Sequence, residues 1–223
     1  MGLGSLKRYV QIAFNGTAQQ VHRILPQIPY DPRIIIEAGT PYIKRTGIAG
    51  VHLIRRMWRG MVVADVKVTD GAAEEVMFSA AAGANAATVM GSAPVETLDF
   101  FVRFCKKHNI YSMIDMLGVI NPLHKMHPMK TKPDVIVIHK GRDEESNKQR
   151  IIRYKDIAKI RSKYDSLISV AGGLNHENVR KAYFNGADIA ILNVTAPNDP
   201  NEGLPDRTNF RNLVPMILNE VGS

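Results

Sequence analysis

Short apolar runs rich in Val, Ile and other strand-forming residues recur along the chain at 10–14, 34–37, 61–66, 86–90, 112–116, 135–139, 167–171 and 189–192. Several are almost wholly apolar, the pattern of parallel strands covered on both faces. Between them, 17–25, 47–58, 72–82, 95–108, 154–163 and 177–184 carry apolar residues at helical spacing. Strands alternating with helices predict a parallel α/β fold. Eight strands at this spacing fit a single (β/α)8 barrel spanning residues 1–223, with an open doubly wound sheet as the alternative. Segment 122–133 holds Pro122, Pro128 and Pro133 where a barrel would place a full helix, so a shortened or missing helix is expected there. Segment 197–209, rich in Pro, Asn and Asp, reads as a long loop that covers the functional end.

Polar residues interrupt this apolar pattern at the strand ends, where a barrel keeps its chemistry. Glu37 closes the second run, Asp65 and Lys67 the third, Asp115 the fifth and His139 the sixth, and Gly172-Gly173 follow the seventh. Strand alternation places Asp65 and Lys67 on one side and Val66 and Val68 on the other, with Asp70 just past the strand end. Two carboxylates and an ammonium on a β-branched strand suit a metal-assisted site with a proton carrier. A structural ion-pair cluster is the competing reading. His124 and His127, three apart with no third ligand in sequence, read as part of a solvated basic loop rather than a metal site.

Composition narrows the class. Hydrophobic residues make up 45% and charged residues 22% of the chain, ordinary for a globular domain. No apolar stretch approaches a membrane span and the amino end lacks a signal-peptide core, so a cytoplasmic location is the simplest expectation. The one cysteine, Cys105, lies on the apolar side of an amphipathic stretch and reads as a packed residue. A net charge of +8 and a pI near 9.6 suggest an anionic partner. The basic residues are scattered over 44–59, 106–107, 125–132 and 148–163, and aromatics are only 7% of the chain. That leaves nucleic acid a minor prospect beside a phosphorylated small molecule.

At this point Glu37-Ala38-Gly39-Thr40-Pro41, the Asp-x-Lys-x-x-Asp element at Asp65, Lys67 and Asp70, Ile114-Asp115-Met116-Leu117 and Val170-Ala171-Gly172-Gly173-Leu174 together resemble the orotidine 5′-monophosphate decarboxylase suprafamily. Within it the 3-hexulose-6-phosphate synthase branch is the best match, over about residues 10–192. The resemblance implies a magnesium-dependent aldol lyase that joins formaldehyde to ribulose 5-phosphate through a metal-bound enediolate. It implies Glu37 and Asp65 as metal ligands and Lys67 and His139 as catalytic groups. It also implies Asp115 as a substrate-binding residue and Gly172 and Gly173 as a phosphate loop at a helix start. Asp70 reaches the neighbour's site in that family, so a homodimer is implied.

Three positions depart from the branch pattern. Asn15 ends the first strand where relatives carry Asp; its amide can still bind sugar hydroxyls but is no base. Leu192-Asn193-Val194-Thr195 replaces a glycine-bearing segment, leaving Asn193 as a polar contact while Val194 restricts backbone approach to a phosphate. Arg142 resembles the 3-keto-L-gulonate 6-phosphate decarboxylase branch, where it would act as a further catalytic residue. A decarboxylase of a phosphorylated sugar acid or of orotidine 5′-phosphate therefore stands as the alternative, followed by a non-catalytic anion-binding barrel.

Overall fold

Alternation along the first strand sets the architecture. In β1 (Tyr9–Phe14), Val10, Ile12 and Phe14 pack in one apolar layer, while Tyr9 and Ala13 pack in another. The same parity runs through β2 (Ile34–Ala38), β3 (Met61–Val68), β4 (Ala86–Met90), β5 (Tyr111–Asp115), β6 (Val135–His139), β7 (Leu167–Ala171) and β8 (Ile189–Thr195). Each strand pairs in parallel with the next, and β8 returns to β1 from Tyr9↔Ile189 to Phe14↔Val194. One layer is therefore the lumen of a closed (β/α)8 barrel and the other lies beneath its helices. Because β1 is flanked by both β2 and β8, the open sheet is excluded. This computed structural model describes residues 3–4, 8–147, 149 and 151–222. Lys148, at the head of the last basic run, and the extreme ends of 1–223 lie outside the described residues.

The lower lumen is filled by Ile35, Val63, Ala86, Met113, Val135, Leu167 and Ile189, so this end is a packed core and the cavity lies above it. Thr17 caps α1 (Ala18–Ile24) by accepting from the Gln20 N–H at 3.2 Å, a pairing that satisfies a donor the helix leaves open. The helix expected over 47–58 is present as α3 (Ala49–Met57), and a further helix, α2 (Thr40–Thr46), precedes it. Gly47 breaks them with a φ of 65°, a conformation disfavoured for a side-chain-bearing residue. The loop after β2 is thus helical from Thr40 onward, which brings Thr40 and Lys44 to the functional end.

The remaining helices are α4 (Ala72–Ala81), α5 (Val95–Lys107), α6 (Pro122–Met126), α7 (Lys155–Arg161), α8 (Val179–Phe184) and α9 (Phe210–Val221). Over 122–133 the helix is short, as the prolines predict, and His124 and His127 are not buried among ligands: both are exposed. The rest of that segment is fastened by Asp99 of α5, which accepts from the N–H groups of Lys130 and Thr131 and from Thr131 Oγ1 at 2.6 Å. Cys105 is fully buried in α5, and burial pushes its thiol well above its ordinary value, as befits a packing role. The terminal helix α9 buries Phe210, Leu213, Val214, Ile217, Leu218 and Val221, the helical spacing of an apolar stripe. Among the described residues, no helix is long and apolar enough to cross a membrane.

Candidate active site

Inward positions in the upper half of the strands face one space. They include Gln11, Glu37, Asp65, Thr88, Asp115, His139 and Asn193, and all line one cavity of about 430 Å³. Loop residues Asn15, Thr40, Lys44, Arg142 and Gly172 complete its walls together with Lys67. Seven strands thus supply a polar group to one space, although only some of those groups stood out in the sequence.

Asp65 and Lys67 share the cavity side, as the alternation predicts, but Lys67 reaches it through an irregular stretch of β3. The β3–β4 pairing shifts between Ala64 and Val68, and Lys67 has a φ of 50°. A non-glycine residue in this left-handed region is held by its surroundings. Here the Lys67 N–H donates to Thr88 Oγ1 at 2.9 Å. The bulge aims the side chain into the cavity, where Nζ lies 3.1 Å from Asp65 Oδ1 and donates to Asp115 Oδ2. Burial favours the neutral amine, but Asp65 and Asp115 outweigh it and hold Lys67 above its ordinary value, so the side chain is an ammonium ion.

Asp115 joins Lys67 and His139. Besides Lys67 it faces His139, whose Nδ1 lies 2.9 Å from both carboxylate oxygens, and its Oδ1 accepts the Leu117 N–H at 3.0 Å. Burial would raise Asp115, yet His139 and Lys67 hold it well below the carboxylate range. Burial would lower His139, but Asp115 more than offsets this and raises it. With Nδ1 committed to Asp115, ring Nε2 is the position from which His139 can exchange a proton.

Asp65 is fixed from several sides. Its Oδ2 accepts from Thr40 Oγ1 at 2.7 Å and its Oδ1 from Thr88 Oγ1 at 2.8 Å. Glu37 has much less support. It accepts from Gln11 Nε2. Burial, joined by the Asp65 charge, pushes its carboxyl up to about 8 against the opposing effects of Gln11 and Lys67. Gln11 Oε1 is buried without a hydrogen-bond partner. The poorly supported Glu37 carboxyl next to Asp65, beside an orphaned amide oxygen, fits a hard cation with oxygen ligands. No group of three His, Cys, Asp or Glu side chains suited to a metal occurs among the described residues. Magnesium suits such a two-carboxylate site, since it keeps positions for water and substrate oxygens.

The other expected residues divide. Asn15 and Asn193 meet across the mouth, with Asn15 Nδ2 donating to Asn193 Oδ1 at 3.0 Å. Gly172 lines the cavity with a φ of 97°, and a Cβ there would lie 2.1 Å from the Lys140 carbonyl oxygen. Gly173 is not part of the lining, and the glycine pair does not open a helix: residues 172–178 hold bends and turns before α8, which has six residues. The glycines therefore sit in a turn and not at a helix start. Asp70 is exposed and does not line the cavity of its own chain. Arg142 does line it and is paired with Asp199 of the 197–209 loop. Sequence reading missed Gln11, Thr40, Thr88 and Asp199. The signal for the first and third is a lone polar residue at an inward strand position, readable once the parity of every strand is known.

A sequence model described as the Orotidine 5′-phosphate decarboxylase / HUMPS family matches residues 9–200. A bifunctional enzyme Fae/Hps of Methanothrix thermoacetophila is 36% identical over 186 residues, covering 82% of this chain and 47% of that protein. The chain spans about half the length of the curated relatives it matches. In solved structures, the fold is shared with 3-hexulose-6-phosphate synthase from Salmonella typhimurium at a TM-score of 0.78 and 24% identity, covering 94% of this chain and all of that one. KGPDC from Streptococcus mutans matches at a TM-score of 0.71 and 18% identity, covering 97% of this chain and 100% of that one.

Proposed function

The chain belongs to the orotidine 5′-phosphate decarboxylase / HUMPS family, and we propose from that premise that it is an aldehyde-lyase of the 3-hexulose-6-phosphate synthase type. The observation that carries this reading is the chain of charges Asp65, Lys67, Asp115 and His139 in one cavity. It sets an ammonium ion and an imidazole on either side of a carboxylate, as needed to form and quench a sugar enediolate. The substrates would be ribulose 5-phosphate and formaldehyde.

Glu37 and Asp65 would hold magnesium, which when bound supplies Lewis-acid stabilisation of substrate oxygens. The side chains of this protein supply the proton movements. His139 Nε2 takes the proton from C1 of the ketose, and the resulting carbon nucleophile forms a bond to the formaldehyde carbon. The formaldehyde oxygen takes that proton back from His139 Nε2 and becomes the new hydroxymethyl group, which returns the imidazole to its starting state. The Lys67 ammonium stabilises negative charge as it develops on the sugar oxygens. Asn15 and Asn193 bind hydroxyls at the mouth. Asp70, exposed on its own chain, is proposed to complete the cavity of a second copy in a cytoplasmic homodimer.

The test is turnover of phosphorylated sugars with and without magnesium. Magnesium-dependent loss of formaldehyde with ribulose 5-phosphate is expected, and a folded protein without such turnover would refute the proposal. Arg142 in the cavity wall favours one second reading, decarboxylation of a phosphorylated sugar acid, for which the same screen reads carbon dioxide.

A further inference from the structure

After β8 the chain doubles back as a strap. Residues Leu204 and Pro205 form β9 and pair in parallel with Val194 and Thr195. The Asp206 N–H then donates to the Thr195 carbonyl at 2.9 Å, and Arg23 of α1 holds the Asp206 carboxylate at 2.7 Å. Gly203 is pressed so closely against β8 that a Cβ would lie 2.4 Å from the Asn193 carbonyl oxygen. Nearer its middle, the strap meets the loop after β7, where Asn175 Nδ2 donates to Glu202 Oε2 at 2.6 Å. It meets the loop after β6 through the ion pair of Asp199 with Arg142. One segment thus ties the loops after β6 and β7 to the end of β8.

The Asp199 contact is built. Oδ1 accepts from the Asn201 N–H at 3.1 Å and from Asn201 Nδ2 at 2.7 Å, which leaves Oδ2 directed at Arg142. The side chain of Asp199 is 14% exposed and that of Arg142 39%. Only Nη2 of the guanidinium is engaged; among the described residues Nε and Nη1 have no acceptor. The end of β8 is flanked by β1 on one side and β9 on the other, so side chains rather than an open strand end are left to meet an anion here. We infer that Asp199 is a positioning residue: by anchoring one corner of Arg142 it fastens the strap and presents the remaining guanidinium donors to an oxyanion of the substrate. Guanidinium groups bind phosphate and carboxylate alike through paired N–H donors.

The inference rests on the lyase reading for its substrate, and its test does not depend on turnover. Binding of ribulose 5-phosphate, inorganic phosphate and acetate is measured by calorimetry for the wild-type protein, Asp199→Ala, Asp199→Asn, Arg142→Met and the Asp199→Ala/Arg142→Met double variant. Hydrogen exchange of residues 196–206 is followed in parallel. Losing a charge-assisted contact predicts about tenfold weaker binding in Asp199→Ala, no further loss once Arg142 is already Met, and faster exchange across the strap. Asp199→Asn should recover part of the affinity by keeping the acceptor. A loss confined to the phosphate ligands identifies a phosphate as the oxyanion, and a loss confined to acetate a carboxylate. Affinities within twofold of wild type for all three ligands, or an equal loss on the Arg142→Met background, would overturn the assignment. If the wild-type protein binds these ligands but does not consume formaldehyde, the lyase reading fails while the Asp199 result stands.

Discussion

Replacing Asp115 by Asn probes the centre of the cavity. The carboxylate is 3% exposed and accepts from Lys67 Nζ, His139 Nδ1 and the Leu117 N–H. The substitution keeps size and one acceptor but removes the charge that faces the buried Lys67 ammonium and the His139 ring. Breaking one side of a buried ion pair costs about 3–5 kcal/mol; with the amide still able to accept, we take about 3 kcal/mol, a fall in Tm of roughly 6–12 °C for a chain of this size. His139 reports the effect directly. Burial lowers its pKa, but Asp115, with a smaller contribution from Asp65 and against the Lys67 charge, raises it, so removing the Asp115 charge should lower the value. The sign for stability follows: in the wild type His139 contributes below its unfolded pKa and loses that contribution as pH rises through the raised folded value. The variant should lack this loss. Ring-proton NMR titration of His139 and thermal melts between about pH 5 and pH 9 would test both effects, and a proton-transfer role predicts a fall in kcat of about 10²–10⁴-fold. An unchanged His139 titration with kcat within a few-fold of wild type would refute the coupling.

Other expectations concern separate parts of the molecule. Gly172→Ala places a Cβ against the Lys140 carbonyl at a φ of 97° and should destabilise by more than about 1 kcal/mol, read from a denaturant melt. Magnesium at about a hundredfold its Kd should stabilise the protein by about 2.7 kcal/mol, and Glu37→Gln, which removes a proposed ligand, should abolish that gain. Burial raises Asp99, but donors from Thr131 and Lys130 and the Arg103 charge outweigh it and lower its pKa. Its contribution is therefore present above the unfolded carboxylate value and lost as pH falls through the folded one, so Asp99→Asn should flatten the acid limb of the stability curve.

Much of the barrel is legible from apolar periodicity, because parallel strands buried on both faces are short apolar runs: the runs at 86–90, 135–139 and 167–171 coincide with β4, β6 and β7. Helix limits were less visible. Thr40-Pro41-Tyr42 starts a helix because Pro is tolerated at the first turn, whereas the 47–58 pattern alone does not reveal the earlier turn. The carboxylates and His139 stood out as charges on apolar strands. Gln11 and Thr88 were hidden because an uncharged polar residue in a strand carries little signal until the inward parity of every strand is known. The position of Lys67 depended on a bulge, and register shifts of that kind are set by neighbouring strands rather than by local composition. Asp199 was out of reach for a similar reason, since its partner lies 57 residues away and only the folded strap brings them together.

The central claim is that Asp65 and its cavity partners catalyse carbon–carbon bond formation between formaldehyde and ribulose 5-phosphate. Incubation with ¹³C-formaldehyde, ribulose 5-phosphate and magnesium, followed by ¹³C NMR, should reveal the label as a hydroxymethyl group of a six-carbon sugar phosphate. Asp65→Ala should abolish that signal while retaining the wild-type circular dichroism. No labelled sugar from the folded wild-type protein, or the same yield from Asp65→Ala, would contradict the account.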